Sequence, residues 1–62
     1  MIVELIAEDQ YGSDGPQAGT QGVVMETRKH SEGGKYYAII FEGFPARGVF
    51  YAFEEMVKVI KK

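Results

Sequence analysis

Four groupings bring together residue types able to do chemistry. His30 and Glu32 stand two apart and could form an acid–base pair. Glu54-Glu55 is a carboxylate doublet, and Gly12-Ser13-Asp14-Gly15 has the glycines and hydroxyl of a phosphate loop. Glu8, Asp9 and Asp14 offer hard oxygen ligands for a cation. Each meets a simpler reading. His30 falls in a hairpin with no nucleophile nearby, and reads as a solvated loop side chain. The glycine segment is not followed by Gly-Lys-Ser/Thr, nor by a helix whose N-terminus would receive an anion. Acids opening a helical turn complement its dipole. The three loop acids do not have the spacing of a calcium loop. The chain is therefore read as no enzyme, with no cofactor and no metal.

Aromatic residues make the better case, because they supply large contact area with few torsions to freeze. Tyr11 lies in a long polar loop, and Tyr36, Phe44 and Tyr51 fall on or near strand positions that alternate away from the expected core. With Asp14 and Arg47 as orienting charges, Tyr11, Asp14, Tyr36, Phe44, Arg47 and Tyr51 form the candidate partner-binding set. Tyr11 and Phe44, as loop-tip rings, are expected to contribute little to the core. A second set, Arg28, Lys29 and Lys35 with Tyr36 for stacking, is the alternative site, for RNA or single-stranded nucleic acid. Three cations give a small counterion-release contribution. The net charge of −2 also lacks the basic stripe of a general nucleic-acid binder.

The elements that must position these residues follow from the punctuation of 62 residues, one domain's worth. Residues 2–7 alternate as a strand, with Ile2 and Ile6 on a half-buried second face. Residues 8–19, rich in glycine and turn formers, make a loop of about twelve residues, long enough to suggest function. Residues 20–28 are a second strand, in which Gly22 marks a bulge or a close backbone approach. His30 to Gly34 is a hairpin whose glycines take positive φ. Residues 35–42 are a third strand, with Tyr37, Ile39 and Phe41 on one face and Tyr36, Ala38 and Ile40 on the other. A turn around Phe44-Pro45, a strand over 47–53, a helical turn at Phe53 to Met56 and a last strand over 57–61 complete the chain. Val3, Leu5, Val24, Ile39, Phe41, Phe50 and Met56 are the expected core. With no cysteine and one histidine, the fold has neither a disulfide framework nor a multi-histidine zinc site.

Five strands with a helical turn before the last predict an all-β fold, a five-stranded SH3-like barrel whose closure removes exposed edges. The segment Gly19-Thr20-Gln21-Gly22-Val23-Val24 resembles the glycine-containing second strand of KOW-type and photosystem I E-subunit-like small barrels. Phe53-Glu54-Glu55-Met56-Val57-Lys58-Val59-Ile60 resembles their closing segment. The similarity spans nearly the whole chain as a pattern, and its motifs are structural. It implies a small subunit or adaptor of a bacterial or phage complex. The acidity departs from the RNA-binding members. An SH3 domain that reads proline-rich peptides carries an Ala-Leu-Tyr-Asp-Tyr-type start and a tryptophan, and this chain has neither. The expectation is a cytoplasmic, non-enzymatic protein-interaction module whose partner is another protein. No apolar run is long enough to span a membrane, which takes roughly 18–20 residues. A homo-oligomeric structural piece, with outer aromatics facing another copy, is the third reading.

Overall fold

The computed structural model describes residues 1–8 and 10–62, with Pro45 described by its backbone alone. The fold is all-β, with strands β1 (Ile2–Leu5), β2 (Gln21–Lys29), β3 (Lys35–Phe41), β4 (Phe50–Phe53) and β5 (Val57–Lys61). All pairings are antiparallel, in one sheet ordered β4-β3-β2-β1-β5. Short 3-10 turns occupy Pro45–Arg47 and Glu54–Met56. The expected closure is not made by a ladder. Among the described residues, β4 and β5 are the two edges of the sheet. They are joined by the 3-10 turn, whose Met56 carbonyl accepts the N–H groups of Ile6 and Ala7 at 2.9 and 3.2 Å. This bend ends β1 at Leu5, two residues short of the expected length, and leaves Ile6 half exposed.

The inner face follows strand alternation. Val3, Leu5, Ile39 and Phe41 are fully buried, with Tyr37, Ala52 and Val57 nearly so. Val24, Phe50 and Met56, expected in the core, are partly buried and pack against it. Tyr37 lies on the face that alternation predicts, and the core also takes Ala52 and Val57, which lie outside the expected set. The fourth strand starts at Phe50 rather than at residue 47, because Phe44 and Arg47 wind into a turn in which the Arg47 N–H donates to the Phe44 carbonyl at 3.2 Å.

Three glycines are dictated by the fold. At the β2–β3 hairpin, Gly33 and Gly34 hold φ of 102° and 81°, a region L side chains rarely adopt. Gly22 pairs with Phe41 across β2–β3, and a Cβ there would sit 2.6 Å from Ile39 Cγ2, 2.9 Å from the Ile40 carbonyl oxygen and 2.9 Å from Phe41 Cδ1. The close approach read from the sequence is therefore at Gly22, whereas the bulge lies at Met25, where the register shifts between Val24 and Glu26.

The long loop has no strand or helix among its described residues but is tightly folded. Its ends are tied by Leu5 N–H to the Thr20 carbonyl at 2.8 Å and Gly19 N–H to the Leu5 carbonyl at 2.7 Å. The Gln17 side-chain amide donates to the carbonyls of Gly12 and Gly15 at 2.8 and 3.0 Å. Pro16 is fully buried. It reads in sequence as a turn former and acts as a plug.

Candidate functional site

Register fixes where each candidate side chain goes. Directly opposed residues share a face, so Tyr36 across from Phe53 and Ala38 across from Tyr51 define the outer face of β3 and β4. Their rings form a cluster. Tyr36 lies 6.0 Å from Tyr51 and 6.4 Å from Phe53, at interplanar angles of 67° and 72°. His30 reaches Phe53 at 5.5 Å and Tyr36 at 6.5 Å. Ala38 is small enough to leave room beside Tyr36 and Tyr51, and is itself buried at 4% exposure. Tyr51 stays 55% and Phe53 39% exposed. These rings, with Gln10 from the long loop and Met56 from the 3-10 turn, line a groove of about 280 Å³.

His30 is not the solvated side chain expected. It is half-buried against the two rings, and its Nδ1 accepts the Glu32 N–H at 3.2 Å. That bond places the proton of the neutral ring on Nε2 and joins His30 to the backbone of Glu32, not to its carboxylate. The acid–base pairing is not formed.

The six candidate partner residues separate into two groups. Tyr36 and Tyr51 are on the outer face. Tyr11, Asp14, Phe44 and Arg47 instead fasten the long loop to the β3–β4 connection. The half-buried Tyr11 ring lies 5.1 Å from Phe50 and 6.1 Å from Phe41, and Phe44 lies 6.1 Å from Phe50. Both rings pack against the core, contrary to the expectation that they are loop tips. The Arg47 guanidinium donates to the Asp14 carbonyl oxygen at 2.8 Å, a main-chain contact that leaves the Asp14 carboxylate out of the clasp. The two groups touch at one point, where the Tyr11 hydroxyl donates to the Tyr51 carbonyl at 2.6 Å. Burial pushes the Tyr11 phenol above its ordinary range and keeps it a donor. Gly15 allows this packing, since a Cβ there would lie 2.6 Å from Tyr11 Cβ.

The alternative set is split by the same alternation. Arg28 pairs with Tyr36 in register and shares its face, whereas Lys29 pairs with Lys35 on the opposite face. Arg28 is engaged by Glu26 at 2.9 Å, and that carboxylate, first by hydrogen bond and then by charge, raises the guanidinium's pKa further; the Tyr36 hydroxyl adds to it. The four residues do not make one basic surface.

Phe53 and His30 were missed as site residues. Alternation contained the signal for Phe53, two residues from Tyr51 and so on its face. Asp9, one of the three acids weighed as cation ligands, lies outside the described residues. Among the described residues no group of three or more His, Asp or Glu side chains is placed to hold a metal ion, and no charged side chain is buried. No helix is long and apolar enough to cross a membrane. A second recess of about 280 Å³ lies over Ile2, Val23 and Ile40 beside Gly22, with Gln21, Phe41 and Glu42 also in its lining.

No protein-family model matches the chain, and searches of curated proteins and of solved structures return no match.

Proposed function

We propose that this chain is a non-enzymatic protein-interaction module of the SH3-like small-barrel kind, and that its partner docks on the outer face of β3 and β4. One observation carries the reading. Tyr36, Tyr51 and Phe53 gather around a groove while the inner face already closes the fold without them. Partly exposed rings of this kind are the usual anchors of a protein interface. The strand order, with β1 between β2 and β5, supports the small-barrel assignment. The role expected of such a module is that of a small subunit or adaptor in a bacterial or phage complex, in the cytoplasm. The nucleic-acid reading is not favoured, because Lys29 and Lys35 face away from Arg28 and Tyr36.

The test is capture with the full chain as bait, parent beside the Tyr51→Ala/Phe53→Ala variant, with light scattering on both. A protein retained by the parent and lost from the variant, while both stay monomeric and folded, is the expected result. Equal retention by the two, or a parent that self-associates through this face, contradicts the proposal.

A further inference from the structure

β2 runs past the strand beside it. β1 pairs with it only at Gln21, Gly22 and Val23, and the Val24 N–H is taken by the Met1 carbonyl at 2.9 Å. Among the described residues β2 has no neighbours but β1 and β3, so the stretch Met25–Lys29 has a strand on its β3 side alone. Every residue of that stretch is exposed.

The hairpin fixes which main-chain groups point out of this open edge. The His30 N–H donates to the Gly34 carbonyl at 3.1 Å, so that opposed pair is hydrogen-bonded. Opposed pairs in an antiparallel ladder alternate between bonded and non-bonded. Lys29–Lys35 is therefore non-bonded, Arg28–Tyr36 bonded and Thr27–Tyr37 non-bonded. The N–H and C=O groups of Thr27 and Lys29 thus point away from β3, to the side without a strand. Such an edge is a template for another strand.

The side chains select which strand fits. Two copies paired antiparallel about a two-fold axis normal to the sheet keep like faces together, so one residue must face its own counterpart. Centred on Glu26 or on Arg28, the pairing opposes two glutamates or two arginines. Centred on Thr27, it sets Glu26 of each copy opposite Arg28 of the other. Opposite charges directly across an antiparallel pair stabilise it, and like charges destabilise it. The same register joins the outward Thr27 groups of the two copies, N–H to C=O in both directions. Met25, 60% exposed, comes opposite Lys29 of the other copy, whose methylene stem can cover it. Glu26 and Arg28 already lie 2.9 Å apart within one chain, so the pairing assembles a network of four alternating charges.

We infer that the Met25–Lys29 edge of β2 pairs with the same edge of a second copy, antiparallel and centred on Thr27, which joins two sheets into one. The contact is independent of the aromatic groove. Five residues a side fall well short of the roughly 1,200 Å² at which stable interfaces begin, so the association is weak, absent near micromolar concentration and populated near millimolar.

The experiment is amide-resolved NMR of the full chain, diluted from about 2 mM to about 20 μM to span that range. The expected shifts depend on concentration and are largest at Thr27, whose amide gains exchange protection at the high end. The amides of Glu26 and Arg28, bonded to β3, should be protected throughout. Arg28→Glu and Glu26→Arg each oppose like charges, and each alone should weaken the association about tenfold. Mixing the two variants opposes unlike charges again at both positions. It should restore shifts centred on Thr27, a rescue that loss of the intrachain bridge would not give. The dilution series of the parent decides by itself if either variant fails to fold. No concentration dependence at the highest concentration, or mixing that rescues nothing, overturns the inference and leaves the partner-face reading untouched. Concentration-dependent shifts centred on Tyr51 and Phe53 overturn both.

Discussion

Two sets of four rings lie on opposite sides of the β3–β4 ladder. Tyr11, Phe41, Phe44 and Phe50 contact one another at centroid distances of 5.1 to 6.1 Å, and His30, Tyr36, Tyr51 and Phe53 at 5.5 to 6.5 Å. Ring geometry alone does not distinguish them. Burial does: Phe41 is fully covered, whereas Tyr51 is 55% exposed. The inner set closes the space between the long loop and the sheet. In the outer set, Tyr51 and Phe53 stay partly exposed beside the buried Ala38. Aromatic pairing thus serves folding on one face and leaves contact surface on the other, and for the rings that lie in strands, Tyr36, Phe41, Phe50, Tyr51 and Phe53, the face is decided by the strand's parity.

The contrast breaks most visibly at Phe41. Phe41→Ala removes a fully buried ring that contacts Tyr11 and Phe50, and should cost about 3–5 kcal/mol by denaturant unfolding. That is comparable to the whole stability of so small a domain. A cooperative transition unchanged from the parent would show that the inner set does not hold the fold.

Gly22→Val tests the surface on which that ring rests. Valine favours strands, yet its Cβ would meet a backbone oxygen at 2.9 Å and two core side chains no further away. The expected loss is about 1–3 kcal/mol, the usual range for overpacking. A variant as stable as the parent removes the close approach as a constraint.

Tyr11→Phe sharpens the comparison at the one hydrogen bond joining the two sets. It keeps the ring against Phe50 and removes the donor to the Tyr51 carbonyl, so about 1 kcal/mol should go. The substitution also carries a pH signature. The Tyr11 pKa is raised by burial above its ordinary 10.0, so the folded state favours the neutral phenol. That contribution is whole below about pH 10 and disappears as pH rises through the folded-state pKa. The parent should therefore lose more stability than Tyr11→Phe as pH rises above about 10, and parallel profiles would contradict the assignment.

The smallest effect on stability is expected in the outer set. Tyr51→Ala should cost about 1 kcal/mol or less, since more than half of the residue is already in water and the edge-to-face contact with Tyr36 is what it gives up. The same substitution should weaken partner binding by about 1–2 kcal/mol, read by titration against whatever protein the parent captures.

Much of this arrangement was legible in the chain. Alternation placed Val3, Leu5, Ile39 and Phe41 inside, and Gly22 and Gly33-Gly34 marked the close approach and the hairpin. The loop contacts were not legible. Tyr11 and Phe44 are flanked by turn formers and have no periodic context, so nothing local says that the loop folds back to lay one ring on Phe50 while the β3–β4 turn brings in the other. The Arg47–Asp14 clasp and the buried Pro16 likewise depend on chain reversal, which sequence spacing does not encode. Sheet closure is not legible either, because a strand pattern specifies neighbours along the sheet but not whether its two edges, β4 and β5, meet.

The central claim is that the inner rings hold the fold and the outer rings are free of that task. Denaturant unfolding of Tyr11→Ala/Phe44→Ala beside Tyr51→Ser/Phe53→Ser tests it most directly, two rings removed from each set. The inner variant should lose most of its cooperative transition, and the outer variant should stay within about 1–2 kcal/mol of the parent. Equal losses, or an outer variant that unfolds while the inner one remains cooperative, would contradict the account.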